Sequence, residues 1–229
     1  MSEELFDLSE QYDEMLRMGV SLSGEDPAYF MRGRIDDLAA RLPSGWKANR
    51  ILDFGCGTGE SSAYLAAKFP GACVVGVDTS ASAVGLAEKR HGTDHIQFSP
   101  MEQLPNEPPF QLCYVNGVFH HIEPLRRLEA VQSVFNALSL GGYFALFENN
   151  PWNLGTRMVM SRIPFDRDAQ TLSYLATQKL VKAGGFRLAN ASRFLFYFPR
   201  SLGMLRGLET FLREVPLGAQ YYVLGVKGQ

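Results

Sequence analysis

The sequence predicts an α/β fold, a doubly wound and mostly parallel sheet of seven strands with helices on both faces. Three observations carry this. Short apolar, β-branched runs alternate with helix-period segments between residues 50 and 148, the pattern of parallel strands joined by crossover helices. The first run, Ile51-Leu52-Asp53-Phe54, enters a turn with three glycines in five positions, Gly55-Cys56-Gly57-Thr58-Gly59. The second, Cys73-Val74-Val75-Gly76-Val77, ends on an acid, Asp78. Runs this continuously apolar suit strands buried on both faces.

The elements follow in order. Residues 4–18 are helical in pattern, with Leu5, Leu8, Tyr12, Met15 and Leu16 on one face. Asp26-Pro27 starts a second helix, which runs to Leu42 and stops at Pro43-Ser44-Gly45, because Asp caps well and Pro suits the first turn. Strand one covers 50–54, and a helix over 60–69 ends before Pro70-Gly71. Strand two at 73–77 leads to a helix at 80–90, then a short strand His95–Phe98. Strand four, Gln111–Val115, a helix over 124–139 and strand five, Tyr143–Glu148, complete the alternation.

Beyond strand five, Asn149-Asn150-Pro151-Trp152-Asn153 cannot continue a strand, and 154–170 lacks clean periodicity. It reads as an inserted cover over the cleft. A helix over 170–183 ends at Gly184-Gly185. A long strand, Phe186–Phe198, a helix at 201–214 and a last strand, Gln220–Val226, close the chain. Leu202, Leu205, Leu208, Phe211 and Leu212 of the 201–214 helix are explained equally by packing on the sheet or on a partner chain. The organisation is one domain: a helical cap (1–45), a cofactor-binding core (46–150), a lid insertion (151–170) and the C-terminal part of the sheet (171–229).

The glycine turn narrows the ligand. Glycines let the backbone turn sharply and approach a ligand closely, and the helix after them offers its amino end. A P-loop needs Lys followed by Ser or Thr after the last glycine, and Glu60-Ser61 stands there instead. A dinucleotide fingerprint places its third small residue one position later than Gly59, and Glu60 is a poor neighbour for a pyrophosphate. The loop suits a nucleoside cofactor without phosphates, such as S-adenosylmethionine (SAM). Asp78 lies near the ~20-residue offset at which an acid meets a ribose diol. Its alternative role is to cap the helix that starts near Ser80.

Leu52-Asp53-Phe54-Gly55-Cys56-Gly57-Thr58-Gly59 and Gly76-Val77-Asp78-Thr79-Ser80 resemble the first two motifs of class I SAM-dependent methyltransferases. Val115-Asn116-Gly117-Val118-Phe119-His120-His121-Ile122 is similar to the family's fourth-strand motif, and Leu140-Gly141-Gly142-Tyr143-Phe144 to the glycine turn before its fifth strand. The motifs cover residues 50–148, in order. The remainder resembles a bacterial small-molecule subgroup. The resemblance implies a Rossmann-like methyltransferase fold with an antiparallel last strand, SAM as cofactor and S-adenosylhomocysteine (SAH) as product.

It also distributes roles. Gly55, Cys56 and Gly57 pass beneath the methionine and ribose, and Gly59 is a further cofactor-binding residue of the same turn. Asp53 accepts from the methionine amine through water or pins the turn. Asp78 takes the ribose, while Thr79 and Ser80 edge the adenine. Two departures stand out: Pro100 replaces an acid that often meets the adenine amino group, and Gln111 replaces an Asp at the start of strand four. Met101 and Glu102 are the substitutes at the adenine. Asn116 and Gly117 adjoin the cationic amine, and Arg34 is the candidate partner for the methionine carboxylate. His120 and His121 are the candidate bases, one facing the cleft and the other the core, since adjacent residues diverge. Glu148, Asn149, Asn150, Trp152 and Asn153 are the candidate acceptor pocket. Asp166 and Asp168 either contribute to it or cap the next helix.

Composition limits the alternatives. With 22 basic against 24 acidic residues the net charge is −2, and no run of like charge stands out, which argues against a large nucleic-acid footprint. No apolar stretch is long enough to span a bilayer. The amino end, Met1-Ser2-Glu3-Glu4, lacks the layout of a signal peptide. Cys56, Cys73 and Cys113 fall in or beside predicted strands and read as reduced thiols of a cytoplasmic protein. No zinc spacing of Cys and His is present, so no metal is expected. The expected function is methyl transfer from SAM to an oxygen or nitrogen of a small polar metabolite. The alternatives are a catalytically silent SAM/SAH-binding partner subunit and an NAD-dependent oxidoreductase. Monomer and homodimer stay open.

Overall fold

The computed structural model describes residues 9–104, 109–163, 166, 168–189 and 193–228. Leu5 and Leu8 of the expected first helix, and Pro164, Phe165 and Arg167 of the expected lid, lie outside the described residues, as does the side chain of Tyr12. Two helices precede the core, α1 (Ser9–Val20) and α2 (Pro27–Arg41). Asp26 caps α2 by accepting from the Tyr29 N–H at 2.7 Å, with Pro27 in the first turn.

The core then alternates as expected: β1 (Arg50–Phe54), α3 (Glu60–Lys68), β2 (Cys73–Asp78), α4 (Ala81–His91), β3 (Ile96–Pro100), β4 (Phe110–Asn116), α5 (Arg127–Ala137) and β5 (Leu138–Asn149). α6 (Leu154–Met160), α7 (Tyr174–Ala183), β6 (Phe186–Leu188), β7 (Arg193–Leu195) and β8 (Gln220–Lys227) follow. The strand order is β3-β2-β1-β4-β5-β8-β6, with β7 also against β8. β1 to β5 are mutually parallel, and β8 runs antiparallel to β5 with Leu146 opposite Val223.

Alternate residues of each central strand enter different cores. Leu52, Val75, Cys113, Phe144 and Val223 pack on one face with Val131 and Val134 of α5 and Val181 of α7. Ile51, Val74, Leu112, Ala145 and Leu224 pack on the other with Ile35 and Leu38 of α2 and Leu65 of α3. Burial on both faces is why the strands carry no polar alternation.

Five expectations on the C-terminal side need correction. Among the described residues the sheet has eight strands, not seven. The expected strand Phe186–Phe198 is two short strands on β8. Leu188 opposes Gly225 and Arg193 opposes Tyr222. Four residues therefore separate the two strands along the chain, against two, Val223 and Leu224, between their partners on β8, so the register shifts from one to the other. The expected helix at 201–214 is a 3₁₀ segment, Arg200–Leu208, kinked at Leu202 and followed by turns. Gly203 and Gly207 weaken it, and Leu202, Leu205, Leu208 and Phe211 are exposed. In the stretch read as lacking periodicity, α6 forms because the Asn153 side chain accepts from the Thr156 N–H at 2.8 Å. The 170–183 helix begins only at Tyr174, where Ser173 caps it.

Candidate functional site

A large cleft of about 1610 Å³ opens at the carboxyl ends of the parallel strands, where ligands of such sheets bind. It exceeds the ~300–1,000 Å³ usual for one small ligand. The core supplies its floor through Asp53, Gly55, Cys56, Gly57, Asp78, Thr79, Met101, Asn116, Gly117, His120 and His121. Arg34 enters from α2. Of the predicted cofactor residues, Gly59, Ser80 and Glu102 do not border it. Gly59 is the turn residue that starts α3 (φ +90°), and Glu102 points to solvent.

The turn after β1 is held to β2. The N–H groups of Gly55 and Cys56 donate to the Val77 carbonyl at 2.8 and 3.0 Å. Asp78 joins the two ends: its Oδ2 accepts from the Gly57 N–H and its Oδ1 from the Ser80 N–H, both at 2.9 Å. Ser80 itself caps α4 by accepting from the Ala83 N–H. The Thr79 N–H adds a third backbone bond; a carboxylate offers about four acceptor sites, so acceptor capacity is left, and the group borders the cleft. Burial pushes its pKa up, while the backbone N–H bonds pull it back.

Asp53 is 2% exposed and accepts from the Ser61 and Ser62 hydroxyls at 2.7 and 2.6 Å. It thus pins the first turn of α3, although it also reaches the cleft wall. Burial pushes its pKa up to about 6 against the opposing pull of the two serines. A carboxyl that holds its proton more tightly when folded makes its stabilising contribution below its unfolded pKa and loses it as pH rises through the folded one. Measured against Asp53→Asn, the natural protein should therefore gain about 2 kcal/mol between about pH 7 and about pH 4.5. Urea unfolding of the pair across that range checks this, and a gap that stays constant or widens the other way contradicts it.

Asn116, at the end of β4, borders the cleft with its Oδ1 buried and lacking any hydrogen-bond partner among the described residues. Such an atom is costly unless a donor arrives. Arg34 is buried and donates from Nε to the Tyr114 hydroxyl at 3.3 Å and from Nη1 to Gln220 Oε1 at 2.9 Å, which ties α2 to β4 and β8.

The histidines do not diverge. Residues 118–122 form a turn, in which His121 N–H donates to the Val118 carbonyl and Ile122 N–H to the Phe119 carbonyl. The two rings lie 4.1 Å apart between centroids and both border the cleft. Their Nε2 atoms each stand 3.5 Å from the same oxygen, Asp166 Oδ1. On its other edge, His120 Nδ1 lies 2.6 Å from Glu148 Oε2, and Glu148 Oε1 accepts from the Phe119 N–H at 2.8 Å. Burial works against a charged His120, but the Glu148 and Asp166 carboxylates outweigh it and push its pKa up to about 10. Asp166 is held below the usual carboxylate range, since the two histidines outweigh its burial.

The five residues expected to form an acceptor pocket stand elsewhere, for none borders the cleft. Glu148 is fully buried behind His120. Asn149 accepts from Gln220. Asn150 donates to the Pro216 and Gly218 carbonyls, and Asn153 donates to that of Leu217 while capping α6. They fasten β5 to the turn before β8. Trp152 is half exposed. Of residues 151–170, Asp168 and Gln170 border the cleft, whereas the N-terminal helices add Leu16, Arg17 and Met31, none of them read from the sequence as site residues. A weak signal for those existed in the half-apolar face of α1. Val118 and Gln220 carried none, because their roles depend on contacts with Gly55 and Arg34.

Residues 51–142 match a family model described as "Methyltransferase domain". The chain is similar to trans-aconitate 2-methyltransferases from Methylobacterium nodulans (36% identity over 40% of this chain and 37% of that one) and Paracidovorax citrulli (34% over 48% and 42%). It thus spans less than half the length of these curated relatives. Its fold matches the solved structure of a TehB-like SAM-dependent methyltransferase from Corynebacterium glutamicum, with a TM-score of 0.65 at 18% identity, over 96% of this chain and 98% of that one.

Proposed function

From a chain whose core, residues 51–142, is that of the class I SAM-dependent methyltransferases of bacterial small-molecule type, we propose that the cleft transfers a methyl group to an oxygen or nitrogen of a small polar metabolite. SAM is the cofactor that goes with this core. Its sulfonium supplies an already activated methyl group, so the protein's part is chiefly positioning.

One observation carries the reading: an open glycine, a carboxylate with lone pairs to spare and an orphaned amide oxygen line one cleft. Asn116 Oδ1 suits the ammonium of a bound methionine portion. Asp78 suits the ribose diol. Gly57 (φ +53°) has nothing within 4 Å of where a Cβ would stand, which leaves bare backbone for the ligand to approach. Arg34 borders the same cleft and suits a carboxylate, although it already serves Tyr114 and Gln220. The departure at Pro100 leaves the adenine edge to Met101 and to backbone. Relatives named for trans-aconitate make small polycarboxylates the first acceptors to assay. Among the described residues no helix is long and apolar enough to cross a membrane.

Calorimetric titration with SAH should give one site with Kd of about 10 µM or tighter. Gly57→Ala should stay folded, at ~1–2 kcal/mol for a left-handed alanine, yet bind SAH at least about tenfold more weakly. Transfer of labelled methyl from SAM to a polycarboxylate then tests the acceptor class. Tight SAH binding without turnover on any small acceptor favours a silent binding subunit. No binding to folded protein rejects the proposal.

A further inference from the structure

We infer that His120, His121 and Asp166 form a binding site for a divalent transition-metal ion of the zinc type, with a coordination position left for water or an acceptor oxygen. The site goes beyond the methyl-transfer reading and does not need it.

Three features point to it. The first is spacing. One nitrogen of each ring and one Asp166 oxygen lie within 4.8 Å of one another, and both Nε2–Oδ1 separations are 3.5 Å. Good N–H···O hydrogen bonds cluster near ~2.9 Å. Ligands at ~2.0–2.2 Å from a tetrahedral zinc stand about 3.4 Å apart, so the spacing fits a shared ion better than shared protons.

The second is the unused atom. His120 is 3% exposed, and its Nε2 is buried with no hydrogen-bond partner among the described residues. It faces the same Asp166 oxygen as His121 does.

The third is the support behind His120. Glu148 Oε2 lies 2.6 Å from Nδ1, which holds a ring proton there and leaves Nε2, on the Asp166 side, as the nitrogen whose proton a metal ion would displace. Glu148 is fully buried and fixed by the Phe119 N–H. A carboxylate behind a ligating imidazole is the arrangement that orients metal-binding histidines. Two nitrogens and one oxygen suit zinc or a neighbouring first-row ion, and three protein ligands leave a fourth place open. Both rings border the cleft, which gives that place access to small molecules.

The test titrates Zn²⁺ into chelator-treated, dialysed full-length protein by calorimetry, and Co²⁺ followed by its visible absorption. Expected are one equivalent of Zn²⁺, affinity in the micromolar range or tighter, and the intense visible bands of a four-coordinate cobalt site. His121→Ala and Asp166→Asn should each weaken binding by about 100-fold or more, and Glu148→Gln by ~10–100-fold. His95→Ala should leave it unchanged. SAH titration of each variant serves as the fold control and separates this claim from the methyl-transfer one. Stoichiometry near zero in the natural protein overturns the inference, as does affinity that survives His121→Ala and Asp166→Asn or falls equally in His95→Ala.

Discussion

Asp78→Ala will remove measurable SAH binding, a loss on the order of 10²–10⁴-fold in affinity. The figure follows from two hydroxyl hydrogen bonds to an ionised acceptor, at ~1.5–3 kcal/mol each. The same change also strips the Gly57 and Ser80 N–H groups of their acceptor, so the variant will unfold earlier. That second effect makes alanine ambiguous, and Asp78→Asn resolves it. Asparagine keeps the shape and one acceptor oxygen but loses the charge. It should retain most of the stability and still bind SAH at least about tenfold more weakly. Calorimetry together with urea unfolding of both variants separates the roles. If Asp78→Asn binds SAH as the natural protein does, Asp78 is only the clasp between the glycine turn and α4.

The double duty of Asp78 illustrates what could be read from residues alone. Its position was visible because a strand buried on both faces is a continuous apolar run, and its end is marked by the first polar residue. The same reasoning located the glycine turn, Asn116 and the last strand, whose antiparallel direction followed from the family resemblance. It failed where geometry depends on contacts far apart in sequence. Glu148 reads as the polar end of β5 facing the cleft, yet it lies behind His120, 28 residues away. Asn150 and Asn153 look like substrate contacts because they are polar and follow a strand. They serve carbonyls at 216–218. The two histidines were assigned to opposite sides on the assumption of extended backbone. The 118–122 turn brings them to one carboxylate, Asp166, which no local spacing associates with them. The C-terminal errors have a different origin. Five apolar residues at helical intervals over 202–212 suggested a helix, but two glycines and the lack of a buried partner surface left only 3₁₀ turns. Apolar periodicity marks a helix only where something covers the stripe.

Gly55→Ala should destabilise the fold by about 2–5 kcal/mol, more than Gly57→Ala, although the two glycines are neighbours in one motif. Both have positive φ (+77° and +53°), so each alanine incurs ~1–2 kcal/mol for a left-handed L-residue. The difference lies in what surrounds them. A Cβ on Gly55 would stand 2.3 Å from Val118 Cγ2 and 3.2 Å from Cγ1. Such overlap in a packed site adds ~1–3 kcal/mol. Val118 follows the Asn116-Gly117 turn, so pushing it away displaces the residues that border the cofactor cleft, and SAH affinity should fall with stability. The explanation makes a specific demand on the double variant. Val118→Ala removes both offending carbons, so Gly55→Ala/Val118→Ala should recover the overlap part relative to Val118→Ala alone and leave only the left-handed cost. A double-mutant cycle by urea unfolding should therefore show a favourable coupling of about 1–3 kcal/mol. Zero coupling would mean that Gly55 is required for its dihedral angles alone, and that the fit between the first and fourth strand-end turns contributes nothing to holding the glycine loop in place.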